Sequence, residues 1–452
     1  MGILCYLPYV HRLELHGADE PRVAGIIQEM VISGDWVVPR LNGVPFLEKP
    51  PLFFWCTAAG SYIVGKSTDI MRLFALLSTL ATVVLTYLLG RRLGLSKLYA
   101  GLAGGIFLTM LIIQKSMADC TVDMMLVCFI AGAFYAWRGL EDSPKHTWAW
   151  FGLFTVMLAG AVLTKALVGV IVPLVGIGGW LLVSRCRKWS RYGYLAAAAL
   201  LAFLPLGGWL ILLYRELGGD GVYEVLWVNN FGRFLGTQPE QAHMEIWYYY
   251  LKVLPEVMLP WTLLVPVSLY WIYLACKQQG VKAHAAFPAT CLVLPLLLLT
   301  ISSSKRDIYL LPLVPLMAIL LSQTIQYFET KKEPVKLYAW LIQILIYSPY
   351  VIALALVGLI LVQHGSWMNV LVVAVALVIL TVVHRYQRTT DQPWFVHVVV
   401  AFFCISAALH SSFIITDRNA RSPRYLFDRV GVLSTFYKPS AEVVLYYPVE
   451  RL

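Results

Sequence analysis

Apolar runs of about 20 residues recur along most of the chain, each long enough to cross a bilayer core of roughly 30 Å. They fall at 70–90, 98–115, 120–138, 147–163, 167–183, 194–214, 255–276, 286–302, 307–327, 337–361, 367–383 and 394–415. The apolar start, Met1–Val10, is about half a span and reads as a shortened first transmembrane helix, without the charged leader and cleavage site of a signal peptide. The runs are continuous rather than alternating, which favours helices over a β-barrel. The expectation is an all-α integral membrane protein of about thirteen transmembrane helices.

Composition agrees with that reading. The chain is 59% hydrophobic and only 13% charged, against roughly 25% charged in soluble domains. A net charge of +10 would fit a nucleic-acid partner, but the basic residues sit in short loops between apolar runs, which is the positive-inside pattern. The loops Arg91–Lys97, Arg138–Lys145, Arg185–Arg191, Lys277–Lys282, Lys331–Lys336 and Arg385–Arg388 alternate onto one side, read as cytoplasmic. Segments 11–69, 215–254 and 302–306 then share the opposite side, with the tail from Asp417. Residues 1–416 form the transmembrane domain, and 417–452 read as the start of an extracytoplasmic domain that stops early. The eight cysteines are scattered, with no CxxC or zinc-finger spacing.

Unusual polar residues collect on the extracytoplasmic side. Val23, Ile26, Ile27, Met30 and Val31 form one stripe at helical spacing, so residues 19–33 predict a short amphipathic helix on the membrane surface. Pro21 suits its first turn and Gly34 its end. Asp19 and Glu20 stand at its N-terminus, where negative charge is favoured; from spacing alone, helix capping explains them as well as catalysis does. Glu48 and Lys49 precede Pro50–Pro51 and an aromatic run. The prolines hold them at the water–lipid boundary, either as an anchor with its counter-ion or as part of a site.

The stretch DEPRVAGIIQEMVISGDWVVPRLNGVPFLEKPPLFFW (19–55) resembles the first extracytoplasmic loop of the bacterial aminoarabinose transferase and dolichyl-phosphate-mannose protein mannosyltransferase superfamily, the C-type glycosyltransferases. The likeness continues in TKALVGVIVP (164–173), in VNNFGRFLGTQPEQAHMEIWYYYLKVLPEVMLPW (228–261) and in SSSKRDIYLLPLVP (302–315). Val23 departs from it, since a tyrosine is common there.

The resemblance implies an inverting glycosyltransferase that takes a sugar from a polyprenyl phosphate and gives it to an acceptor such as lipid A or a protein. The loop topology and the absence of organelle signals point to a bacterial inner membrane with the site facing the periplasm, and a monomer is expected. Such a reaction needs a base, cations for the departing phosphate and an apolar groove for the lipid. Asp19 is the expected base, with Glu20 beside it as second acid or orienting group. Arg22, Lys49, Arg233 and Lys305 are the expected phosphate cations. Glu48, Asp123 and Tyr309 join the substrate site by resemblance. No cofactor is required, although Glu48 and His243 could share a divalent metal. A transporter or flippase is the alternative of another class, but it would favour internal repeats and polar groups near mid-membrane.

Overall fold

The computed structural model describes residues 15, 19–64, 67–232, 245–280, 284–331, 336–362, 367–390 and 393–409. The first apolar run, Arg233, His243 and the tail from Asp417 lie outside these residues. The helices are α1 (Asp19–Ser33), α2 (Leu52–Val64), α3 (Ser67–Arg92), α4 (Lys97–Thr109), α5 (Leu111–Ser116), α6 (Asp123–Asp142), α7 (Thr147–Val183), α8 (Trp189–Ala202) and α9 (Leu204–Tyr223). After a π-helical turn at Glu224–Gly232 come α10 (Tyr249–Val257), α11 (Val265–Gln279), α12 (Ala286–Ile301), α13 (Val314–Lys331), α14 (Lys336–Val362), α15 (Trp367–Thr390) and α16 (Trp394–Leu409).

This is a multi-pass helical membrane protein. Helices satisfy their own backbone groups, which lipid cannot do. Among the described residues six helical runs are long and apolar enough to cross a bilayer, and a bent pair meeting at 111°, Tyr249–Val257 with Trp261–Gln279, makes a seventh. Shorter apolar helices stand at Leu52–Ile63, Ala286–Ile301, Val370–Tyr386 and Trp394–Ser406.

The longest apolar run, α7, is broken. Lys165 (φ −149°, ψ 36°) and Ala166 (φ 43°, ψ −124°) leave the helical region. A side chain on Gly169 would lie 2.2 Å from the Ala161 carbonyl oxygen, whereas eight residues of straight helix span about 12 Å. The two halves therefore fold back on each other as a hairpin, in keeping with separate spans at 147–163 and 167–183.

Charge separates to the two ends of α6, a 20-residue helix about 30 Å long. At its C-terminal end Arg92 and Arg138 pair with Asp142 at 3.4 and 2.9 Å. Arg191 donates to the Leu140 carbonyl at 2.6 Å. The α3–α4 loop joins them through α13, since Gln323 donates to Leu93 O at 2.8 Å and Gln326 accepts from the Ser96 N–H at 2.8 Å. Three of the loops expected to be cytoplasmic, 91–97, 138–145 and 185–191, thus meet at this end, and Asp123 marks the other.

There α1 forms as its stripe predicts, and Gly34 ends it at φ 71°. Val23, Ile26, Ile27 and Met30 are buried against Phe53 and Phe54 of α2, Met71 of α3, and Cys120, Val122 and Met125. The stripe therefore meets protein rather than lipid, because α2 and α3 lie beneath it. Outward apolar surface comes instead from Ile32, Tyr62 and Ile63. A hairpin, β1 (Arg40–Leu41) and β2 (Val44–Pro45), turns on Asn42 and Gly43, both at positive φ, the conformation an Asn-Gly turn supplies. The Glu29 carboxylate accepts from both turn N–H groups, tying the hairpin back to α1.

Candidate active site

Asp19 opens α1 with its side chain one-third exposed, between two arginines. Arg22 Nη1 lies 3.7 Å from one carboxylate oxygen and Arg306 Nη1 lies 3.5 Å from the other. Arg22 also reaches Glu48 at 3.9 Å and stands over the Phe46 ring. One helical turn separates Arg22 from Asp19, so α1 alone fixes that pair. Arg306 comes from the 302–306 segment, so its approach ties the first loop to the entry of α13.

Glu20 has a different environment. It is buried and faces the fully buried Arg72 of α3, with nitrogen–oxygen distances of 3.4 and 3.5 Å. It also accepts the Cys120 N–H at 2.9 Å, while Arg72 donates to Ala118 O at 2.7 Å. The acidic pair is thus split: Asp19 faces the open side and Glu20 is locked into the 118–120 turn.

Lys49 is half-buried between β2 and α2, and among the described residues it forms no ion pair. Burial holds its ammonium below the ordinary lysine value. Asp123 and Asp19 pull the other way, Lys165 adds to the lowering, and Glu48 opposes it. These groups therefore share one electrostatic environment. Asp123, at the start of α6, binds Lys165 at 2.7 Å. Lys165 sits in the break of α7, and its ammonium lies 5.3 Å from the Tyr309 ring centre. Because the α7 hairpin turns at this residue, a lysine from the middle of an apolar run reaches the polar end of the bundle.

The structure brings Asp19, Arg22 and Glu48 together, and separately Asp123, Lys165 and Tyr309, with Lys49 in the electrostatic reach of both groups. Lys305 is buried, and its ammonium is held by the carbonyls of Glu245 and Ser302 at 3.0 and 2.7 Å. It anchors the 302–306 segment, and the neighbouring Arg306 is the cation that reaches Asp19. Arg233 and His243 fall outside the described residues, as does any metal pairing of His243 with Glu48. Among the described residues no three His, Cys, Asp or Glu side chains gather as a metal site.

Lys165, Arg72 and Arg306 were not singled out in the sequence. An ionisable residue in an apolar segment is costly and usually partnered, and that signal marks Lys165 in LTKALVGV and Arg72 in DIMRLFAL. Nothing local distinguishes Arg306 from Lys305.

A family model described as dolichyl-phosphate-mannose-protein mannosyltransferase matches residues 3–217. The undecaprenyl phosphate-alpha-4-amino-4-deoxy-L-arabinose arabinosyl transferase 1 of Pseudomonas fluorescens is 29% identical over 323 residues, 70% of this chain and 55% of that protein. The corresponding transferase of Pseudomonas aeruginosa strain PAO1 is 29% identical over 328 residues, 70% of this chain and 57% of that one. The chain thus spans little more than half the length of these curated relatives. The crystal structure of ArnT from Cupriavidus metallidurans bound to undecaprenyl phosphate superposes with a TM-score of 0.77 at 20% identity, over 97% of this chain and 80% of that one. Its apo form gives a TM-score of 0.76 at 19% identity, over 97% of this chain and 79% of that one.

Proposed function

We propose, on the premise that the chain shares the superfamily of the aminoarabinose transferases and the dolichyl-phosphate-mannose protein mannosyltransferases, that it is an inverting glycosyltransferase with a polyprenyl-phosphate sugar as donor. The observation that carries this reading is the Lys49 ammonium, without an ion pair among the described residues, in one electrostatic environment with Asp19, Asp123 and Lys165. A cation held half-buried in this way suits a leaving phosphate. In the reaction the acceptor oxygen attacks the anomeric carbon. The bond from that carbon to the phosphate oxygen breaks, its electron pair leaves with the lipid phosphate, and the hydroxyl proton passes to Asp19. Lys49 stabilises the charge gathering on the phosphate. Arg22, paired with Asp19 and Glu48, is placed to turn toward it. Asp123 holds Lys165 as a second cation, and Tyr309 forms the wall beside it. The acceptor approaches from the periplasmic face of a bacterial inner membrane.

The placement of the charges weighs against a transporter. They gather at the Asp123 end of α6, whereas transporter sites lie near mid-membrane. The decisive experiment incubates the purified full chain with a panel of undecaprenyl-phosphate sugars, with lipid A and a protein fraction as acceptors, and follows products by mass spectrometry. A sugar-sized mass increment on an acceptor is expected. Intact donors throughout, with donor moved between vesicle leaflets instead, would sink the proposal.

The Lys49 environment also sets a pH dependence. Phosphate binding needs the ammonium, whose value burial lowers in the free protein. The alkaline fall of kcat/KM is therefore expected below the ordinary lysine range. A bound phosphate favours the charged form, so kcat should fall at higher pH than kcat/KM. The sign for stability follows from the same lowering: the unfolded chain binds this proton more tightly, so the Lys49 contribution to stability rises with pH from the folded value toward the ordinary one. Lys49→Arg keeps its charge throughout and should remove the alkaline limb. A limb unchanged in that variant would assign it to another group.

A further inference from the structure

Lys49 and Lys165 come from different parts of the chain, the first loop and the break of α7, so their relative placement depends on what ties these two backbones together. The π-helical turn Glu224–Gly232 does this with two neighbouring amides. Asn229 Nδ2 donates to Leu47 O at 3.2 Å, two residues before Lys49, and to Glu224 O at 3.2 Å. Asn230 Oδ1 accepts the Leu167 N–H at 3.3 Å, two residues after Lys165. Its Nδ2 donates to Val225 O at 2.6 Å. The Leu167 N–H needs an outside partner because the break at Lys165 and Ala166 interrupts the helix before it. Asn230 is thereby a cap supplied from another part of the chain. The partners fix which end of each amide points where, since Leu47 O requires a donor and Leu167 N–H an acceptor. Amides also add no charge to a region already holding Asp19, Glu48, Asp123, Lys49 and Lys165.

We infer that Asn229 and Asn230 are positioning residues that set the separation of Lys49 and Lys165 across the phosphate site. This rests on the glycosyltransferase reading above. Through these bonds the π-helical turn Glu224–Gly232 registers the 11–69 segment against the α7 hairpin. Misplacing a catalytic group by about 1 Å can cost about 10²-fold in rate, so the amides act on turnover without touching the substrate.

The test uses the full chain in detergent micelles or nanodiscs. Asn229→Leu and Asn230→Leu are each expected to lower kcat by about 10- to 100-fold. Asn230→Asp keeps the acceptor for Leu167 but loses the donor to Val225 O, so it should restore part of that loss. A second readout does not depend on catalysis. The pH dependence of Lys49 acetylation, followed by mass spectrometry, reports its environment directly. In Asn229→Leu its midpoint should move up toward the ordinary lysine value, as the loop loosens and water reaches the ammonium. A role in folding alone would lower the melting temperature without moving that midpoint. Wild-type kcat in both leucine variants, or an unmoved Lys49 midpoint in Asn229→Leu, overturns the inference. Should Asn229→Leu fail to accumulate, Asn230→Leu against Asn230→Asp decides, and equal turnover of the two overturns it. A wild-type chain inert with every donor would instead count against the glycosyltransferase reading, and the acetylation midpoint would still decide the positioning role.

Discussion

Asp19→Asn is expected to lower transfer by about 10²- to 10⁴-fold, the usual worth of a general base, while the protein stays folded. Asparagine caps a helix about as well as aspartate, so this substitution separates the two roles that the sequence leaves open. It keeps the size and capping ability of the side chain and removes the proton acceptor. The ion pairs lost, to Arg22 and Arg306 at 3.7 and 3.5 Å, are partly exposed, and exposed pairs contribute about 0–1 kcal/mol each. Turnover measured with a lipid-linked sugar, beside a melting curve in detergent, gives the answer. Full activity in the variant would leave Asp19 as a cap and place the base elsewhere.

Arg72→Met is expected to destabilise the protein by about 3–5 kcal/mol, because it leaves a buried carboxylate without its counter-ion. Glu20 and Arg72 side chains are only 5% and 1% exposed. The pair draws together α1, α3 and the 118–120 turn through the Cys120 N–H and the Ala118 carbonyl. Glu20→Gln should also destabilise, since it removes the charge of Arg72's carboxylate partner in a buried pair. The double variant should recover most of the loss, because replacing both members of a buried pair is far milder than breaking it. Melting temperatures of the two single variants and the double one form a cycle. Simple additivity would show that the pair is not coupled. The cycle also bears on function. A carboxylate fixed in this way is poorly placed to accept a substrate proton, so the proposed role of Glu20 is to seat the start of α1 and thereby aim Asp19.

Several features were legible in the chain because their causes are local. The apolar runs announce helices that lipid can surround. The spacing of Val23, Ile26, Ile27 and Met30 announces α1, and Gly34 its end. Three of the basic loops that alternate along the sequence, 91–97, 138–145 and 185–191, meet at one end of α6. The stripe does not reveal what covers it: protein and lipid are equally apolar neighbours, and only the packing of α2 and α3 decided for protein. The Asn42–Gly43 turn carries its own signal, while its attachment to Glu29 depends on where α1 runs.

Asp19, Arg22, Glu48, Lys49 and Asp123 could be nominated because the family resemblance covers them, and charges beside apolar segments are costly and so stand out. Their partners could not be assigned the same way. Glu20 finds Arg72 across 52 residues, and Asp19 finds Arg306 across 287. The sequence alone could not show that Lys305 turns inward to two carbonyls while Arg306 turns toward the site, since both are cations in one short loop. Nor could it show that a break in α7 delivers Lys165 to Asp123. Periodicity and charge pattern determined the helices, their amphipathic faces and which residues are expensive to bury, because these depend on neighbours a few positions apart. The tertiary structure decided which charge neutralises which and which lysine forms no ion pair among the described residues, because electrostatic pairing depends on distance in space.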